Sequence, residues 1–290
     1  MVTIVSFISG LGFDWTIPFE TFGRYFACPE FFETIWQMKI SATVITHNEE
    51  KNIAHAIQSL SWADEIVVVD SDSTDRTVEI SESLGARVIT QPWLGFSKQK
   101  QFAVDQAQHD WIFSLDADEV VSKELAVELS KLSEMDSHSL ASAYRIPRLT
   151  YYMNRAIRHS GWYPDSQIRF FDRRNAKWKD VLIHESVEVL TGRLEYLRSD
   201  LLHYSIENAA QHHRMIGERY APLAAKQMFE KGRTTTRLRV RTAGAITFFQ
   251  TYILKRGFLD GFPGYCIARF AAHHAFMKHL LLWEMQCQAK

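Results

Sequence analysis

The sequence predicts an α/β fold: a mostly parallel sheet with covering helices, followed by a helical C-terminal region. Three observations point to it. From Met38 onward, short apolar, β-branched runs alternate with segments of helical spacing, the grammar of a parallel sheet with covered faces. Those runs stop at polar or acidic clusters, Thr46-His47-Asn48, Asp70-Ser71-Asp72 and Asp116-Ala117-Asp118-Glu119. Ligands of such sheets sit at that carboxyl edge. Past residue 206 the strand punctuation disappears and only helical spacing remains.

Residues 40–46 form the first apolar run, and 48–62 carry helical spacing at Ile53, Ala56, Ile57 and Leu60. Residues 65–69 make a second strand that stops at Asp70. A helix then runs to Leu84, with Ser73 or Thr74 as its N-cap. Gly85 ends it, 87–90 make a third strand, 96–108 a helix and 111–115 a fourth strand running into Asp116. A helix is expected over 122–135. Strands with polar links and several aromatics follow at 144–150, 167–171, 186–190 and up to His203. Helices are expected over 207–231, about 235–254 and 265–286.

Residues 1–37 are aromatic-rich and patternless. They are expected to be an N-terminal extension, either an upstream-start artefact or a loose surface-binding arm. The functional unit then spans 38–205 and the helical region 206–290.

The near-zero net charge hides an asymmetry. Residues 1–140 hold 9 Lys and Arg against 22 Asp and Glu, and residues 141–290 hold 24 against 12. An acidic half able to hold a metal precedes a basic half suited to anionic partners. Three widely spaced cysteines, Cys28, Cys266 and Cys287, show no metal spacing, and a reducing compartment is the simpler inference. No window approaches the roughly 20 apolar residues of a membrane span. The N-terminus reads as a poor signal peptide.

The stretch Trp111-Ile-Phe-Ser-Leu-Asp-Ala-Asp-Glu119 is a buried strand ending in carboxylates, where a divalent cation and a diphosphate can meet. It follows Val67-Val-Val-Asp-Ser-Asp-Ser-Thr-Asp75 by some forty residues, and Val44-Ile-Thr-His-Asn-Glu-Glu50 precedes both. Together these resemble the nucleotide-sugar-binding half of family 2 inverting glycosyltransferases, which have the GT-A fold; the resemblance covers about residues 39–205. Gly161-Trp-Tyr-Pro-Asp165, Arg169-Phe-Phe-Asp-Arg-Arg174 and Ile183-His-Glu185 look like the branch of bacterial lipopolysaccharide inner-core glucosyltransferases.

The resemblance implies a nucleotide-diphospho-sugar donor, with UDP-glucose the leading candidate, and a lipid-linked saccharide acceptor. It also implies Mg²⁺ or Mn²⁺ held by Asp118, with Asp116 touching the ribose or the metal through water. Thr46 and Asp70 would belong to the base and ribose pocket, and Asn48 would also bind the donor. Relatives often carry two adjacent acids where this chain has Asp70, Ser71 and Asp72, so which of the three contacts the base stays open. Asp70 can also be read as a capping aspartate. A basic residue near Lys100 would reach the donor phosphates; a solvated helix face holding Lys98 and Lys100 is the competing reading. Inversion needs a general base opposite the leaving group. Glu185 is the leading candidate and Asp165 the runner-up. His203 suits an extra metal ligand at a late strand end, and His184 is a second polar landmark. Arg169, Arg173 and Arg174 could clamp acceptor phosphates, and Trp162 is expected beside the acceptor.

Arginines at 233, 237, 239 and 241 lead into an apolar, aromatic run ending at Lys255-Arg256. That pattern suits a helix in the interface of an anionic membrane, hence a cytoplasmic protein at the inner membrane face. Packing against the catalytic unit or a second subunit is the alternative. Two other classes compete. A nucleotidyltransferase would need a Gly-rich basic loop where this chain has Thr46-His-Asn-Glu-Glu50. A nucleic-acid-binding module would need an RNA-binding motif, and none is visible; no nucleic-acid partner is expected.

Overall fold

The computed structural model describes residues 38–135, 139–181, 185–206 and 208–289. The extension 1–37 and His184 lie outside them. Residues Met38–Lys290 form one compact unit.

Its centre is a seven-stranded sheet. β1 (Ile40–Thr46), β2 (Glu65–Asp70), β3 (Arg87–Thr90) and β4 (Trp111–Asp116) are joined by α1 (Ile53–Gln58), α2 (Thr77–Ser83) and α3 (Phe96–Gln106). After β5 (Glu119–Val121) and α4 (Lys123–Ser133) come β6 (Ala143–Ile146), β7 (Arg148–Tyr152), β8 (Arg155–Ala156), β9 (Gln167–Asp172), β10 (Ala176–Trp178), β11 (Val187–Val189), β12 (Leu194–Tyr196) and β13 (Leu201–Ile206). The main sheet runs β12-β6-β9-β4-β1-β2-β3. β9 alone opposes the other strands, pairing antiparallel with both β4 and β6. The sheet is therefore mixed but mostly parallel.

Every residue of β1 is buried, as a central strand covered on both faces requires. Ile40, Ala42 and Val44 pack with Ile53, Ile57, Leu125 and Leu129, while Ile45, Val67 and Val69 pack with Ala103 of α3. The period-two alternation thus divides the core between helices on opposite faces.

Three expectations from the sequence are corrected. The strand over 144–150 is two strands, because Pro147 cannot donate to a ladder; β6 stays in the main sheet and β7 joins a second one. The helix after Asp70 begins at Thr77, not after a Ser73 or Thr74 cap. Asp75 accepts from the Thr77 amide at 3.0 Å, and Ser73 is drawn back onto Asp70 instead. The helix expected over 48–62 is confined to α1.

The second sheet, β5-β13-β7-β8, positions the acidic turn. β13 pairs antiparallel with β5, setting His203 opposite Glu119, and parallel with β7, setting His203 opposite Thr150. A late strand is thus brought against the turn that follows β4.

The C-terminal region begins with α5 (Ala209–Arg214), which continues through a π turn, Met215–Tyr220, into α6 (Ala221–Glu230). α7 (Arg237–Phe249) likewise ends in a π turn, Gln250–Leu254. A 3₁₀ turn, Gly257–Asp260, then opens α8 (Gly261–Gln288), which packs along α6 and α7. At the start of α8 a Cβ on Gly264 would stand 1.9 Å from the Gly257 carbonyl oxygen, so only glycine fits that corner. No described helix is long and apolar enough to cross a membrane.

Candidate functional site

Strand register gathers the polar clusters. Thr46 pairs with Asp70, Asp70 with Thr90, and Ile45 with Asp116, so four acidic or hydroxylated strand ends lie on one edge. The loops after β1 and β2 are laced together. Asn48, at φ 54°, donates its amide to Ser73 Oγ at 2.8 Å, and its Oδ1 accepts from the Thr74 amide at 2.8 Å. The Ser71 amide donates to the Thr46 carbonyl at 2.9 Å, and Ser71 Oγ accepts from the buried Gln99 at 3.0 Å. Asp70 is buried and accepts from the Ser73 amide at 2.8 Å and from its hydroxyl. Asp70 thus closes the turn at 70–73 and does not cap α2, whose first residue, Thr77, donates its amide to Asp75. Asp72 stands exposed at φ 58°. Thr46 Oγ1 is buried with no hydrogen-bond partner.

Beyond this edge an alternating chain of charges crosses the floor of the site. Asp165 accepts from Arg148, whose Nε lies 3.0 Å away. Arg148 Nη1 donates to Glu119 Oε1 at 3.0 Å. Arg169 Nη2 donates at 2.6 Å to that same Oε1 and at 2.6 Å to Asp116 Oδ2. Lys100 Nζ lies 2.8 Å from Asp116 Oδ1 and 3.7 Å from Glu185 Oε1, with its ammonium 4.8 Å from the Trp178 ring centre. Asp165 and Glu185, 20 residues apart in sequence, are the two ends of one network.

The interior of this chain is dry. Lys100 and Arg169 side chains are each 3% exposed and Glu119 is fully buried. Burial by itself would raise the Asp116 carboxyl, but the charges of Arg169 and Lys100 outweigh it and hold it far below the usual carboxylate range. Burial would likewise lower Arg169, and Asp116 and Glu119 hold it fully charged. The Asp165 carboxyl is also lowered: Arg148, and then Gln167, overcome a desolvation that would raise it.

Asp118 turns away from this chain, its Oδ2 3.3 Å from His203 Nε2. The other ring nitrogen of His203 lies 3.2 Å from Thr150 Oγ1, which orients the imidazole, and the Tyr204 amide holds the Asp118 carbonyl at 2.9 Å. Among the described residues no group of three or more His, Cys, Asp or Glu could enclose a metal ion. The Asp118–His203 pair nevertheless fits an open cation site. It offers one hard oxygen and one imidazole nitrogen, both partly exposed, and leaves the remaining positions to water and phosphate.

The structure draws other expected residues elsewhere. Arg169 is not presented to an acceptor phosphate, because its guanidinium is buried between two carboxylates. Arg173 binds Asp110 and the carbonyls of Val104 and Ala107, closing the C-terminal end of α3, and Arg174 binds Asp172. Both lie at the amino edge of β4, since Asp172 pairs with Trp111 there. Trp162 packs edge-on against Tyr152 and near His212, in the cluster that joins β7 to α8. Lys98 is exposed, 3.7 Å from Asp180.

Four contributors were not singled out in the sequence. Arg148 and Glu119 complete the charge chain, Thr150 orients His203, and Gln99 holds Ser71. Only Glu119 carried a local signal, as the acid that closes Asp116-Ala-Asp-Glu119.

Comparison with known proteins gives the family. Residues 41–199 match the family model described as Glycosyl transferase family 2. An uncharacterized glycosyltransferase of Rickettsia bellii (strain RML369-C) is 33% identical over 262 residues, covering 86% of this chain and 88% of its own. Lipopolysaccharide core biosynthesis glycosyltransferase LpsC of Rhizobium meliloti (strain 1021) is 28% identical over 256 residues, covering 86% of this chain and 93% of its own. The crystal structure of S. aureus TarS 1-349 in complex with UDP-GlcNAc is similar over 87% of this chain and 93% of that one, with 16% identity and a TM-score of 0.43. The mixed sheet with its covering helices and helical C-terminal region is GT-A-like, and the chain belongs to the family 2 glycosyltransferases.

Proposed function

We propose that this glycosyltransferase moves a hexose, with glucose the leading candidate, from a UDP-linked donor to a lipid-linked saccharide acceptor of the lipopolysaccharide inner-core type, with inversion at the anomeric carbon. The observation that carries this reading is the charge chain under the Asp116-Ala-Asp118 turn, which ends on the surface at Glu185. The 28% identity to LpsC supports the acceptor class.

Asp118 and His203 would hold Mg²⁺ or Mn²⁺, which when bound stabilises negative charge developing on the departing diphosphate. Thr46, Asn48, Asp70, Ser71 and Asp72 would line the nucleotide side. The unpartnered Thr46 hydroxyl supports this, as a buried hydroxyl needs a partner. Asp116 would act by fixing Lys100 and Arg169 beneath the phosphates, since both its oxygens already face cations.

Glu185 would take the proton from the attacking acceptor hydroxyl as the bond from the anomeric carbon to the diphosphate oxygen breaks. Its one charged neighbour among the described residues is Lys100 at 3.7 Å. Asp165 suits a base less well, because the Arg148 pair lowers its basicity. Trp162 would act through its packing on Tyr152 and His212, which holds residues 158–165 in place. A donor screen by UDP release, with core saccharides as acceptors, tests the reading. Release stimulated by a heptose- or Kdo-bearing acceptor is expected, and release indifferent to every acceptor would contradict it.

A further inference from the structure

The corner where α7 gives way to α8 is built unlike the rest of the surface. Phe249, Ile253, Leu254, Phe258, Leu259, Phe262 and Tyr265 all stand exposed there, Leu254 at 64% and Phe262 at 68%. Three of them, Phe258, Phe262 and Tyr265, are joined through Tyr252. The Phe258 ring centre lies 6.3 Å from Tyr252, Tyr252 lies 5.9 Å from Tyr265, and Tyr265 lies 6.3 Å from Phe262. An apolar patch of this kind on a folded surface marks a contact site. The stretch of chain that carries it is strongly basic. Between positions 231 and 283 the sequence holds nine Lys and Arg and one acid, Asp260. Lys255 and Arg256 are exposed in the same corner, and Arg241 and Arg269 line the adjoining groove with Phe248 and Phe276.

Asp260 is buried at the centre of the corner and faces inward. Its carboxylate accepts from the amides of Arg158 and His159 at 3.1 Å each, lies 2.9 Å from His159 Nδ1 and accepts from Ser160 Oγ at 3.2 Å. Those residues begin the loop that leads through Trp162 to Asp165. The exposed Phe258, Leu259 and Phe262 flank Asp260 on both sides, so the apolar patch and this loop are stapled through one carboxylate.

We propose that this corner is the surface on which the protein seats itself on an anionic lipid bilayer, with Phe258, Phe262 and Leu254 entering the acyl boundary and Lys255 and Arg256 meeting the headgroups. The composition decides for a bilayer over a protein partner. Exposed rings and aliphatics with basic neighbours match an interface that is apolar below and negatively charged above. The Asp260 staple then fixes the height of the 158–165 loop over the membrane surface. This seat rests on the lipid-linked acceptor read above only for its purpose, not for its chemistry.

Flotation of the full chain with vesicles tests it, using phosphatidylcholine alone and phosphatidylcholine mixed with phosphatidylglycerol, at low and high salt. The wild type is expected to float with the anionic vesicles and to be released in part by salt. The triple variant Leu254→Ser, Phe258→Ser, Phe262→Ser is expected to partition at least tenfold more weakly, with its circular dichroism and UDP affinity unchanged. A folded triple variant that floats like the wild type overturns the proposal, as does a wild type that stays in bulk solution with anionic vesicles. A wild-type dimer dissolved by the same substitutions, without vesicle binding, would make the corner a subunit contact instead. Flotation uses neither donor nor acceptor, so a protein that floats but transfers no sugar refutes the acceptor reading and leaves the seat standing.

Discussion

Glu119 has no solvent exposure, and two arginines meet on one of its oxygens. A buried carboxylate of this kind is tolerable only while its partners stay. The same holds for Asp116, so Arg169 is the keystone of the charge chain. Arg169→Met is expected to destabilise the fold by about 3–5 kcal/mol at neutral pH, because it leaves Asp116 with Lys100 alone and the buried Glu119 with Arg148 alone. The pH dependence gives the sign. In the wild type Asp116 has a folded pKa below its unfolded one. Its stabilisation is therefore complete above about pH 4 and is lost as pH falls toward the folded value. In Arg169→Met, protonation of the under-compensated carboxylates should instead recover part of the loss on acidification. Urea unfolding at neutral and mildly acid pH reads both effects, and a variant as stable as wild type at both would remove the brace. The base assignment is tested by a pair. Glu185→Gln is expected to lower turnover by roughly 10²–10⁴-fold with UDP affinity intact. Asp165→Asn is expected to act mainly on stability, through Arg148. The reverse pattern would exchange the two roles.

At the scale of elements, the turn after β4 is made by two sheets at once. β4 delivers Asp116, and β13 brings His203 to Asp118 through its register with β5 and β7. A second junction joins β7 to the C-terminal helices. His212 of α5 lies against Tyr152 and Phe270, with Nδ1 3.2 Å from the Tyr152 hydroxyl. Burial lowers this imidazole from 6.5 to about 4. The folded state keeps His212 neutral while the unfolded chain binds a proton, so stability is full above pH 6.5 and falls as pH drops toward 4. The loss over that window is of the order of 3 kcal/mol. His212→Phe is expected to flatten this dependence, seen as thermal midpoints measured across the window. An unchanged slope would mean that His212 does not titrate there.

Much of this scale was legible in the sequence. The strands ending at Thr46, Asp70 and Asp116 have dense β-branched runs and abrupt polar stops, so periodicity and punctuation agree. The break at Pro147 was also written there, but the apolar run on both sides of it reads as one strand. The charge chain was not legible. Its ion pairs join residues 16 to 85 positions apart, and no local pattern marks Arg148 or Arg169 as buried partners rather than exposed cations. The arginines at 173 and 174 misled for the same reason: the register of β9 places them at the amino edge of β4.

For the whole molecule, the compact unit Met38–Lys290 makes its own core. Deleting residues 1–37 is accordingly expected to leave a cooperatively folding, UDP-binding protein. Loss of folding in that truncation would make the extension part of the unit. The acidic and basic halves of the sequence serve different ends. Carboxylates gather at the sheet edge, and basic and aromatic side chains gather on the C-terminal helices. In the proposed reaction Asp118 and His203 hold a cation against a nucleotide diphosphate. Calorimetry of UDP binding, with Mn²⁺ and with a chelator, reads it most directly. The wild type is expected to bind UDP about tenfold or more tightly with Mn²⁺, a gain of at least ~1.4 kcal/mol. Asp118→Ala is expected to stay folded and lose that gain. Equal affinity with and without Mn²⁺ in the wild type, or an undiminished Mn²⁺ effect in Asp118→Ala, would contradict it.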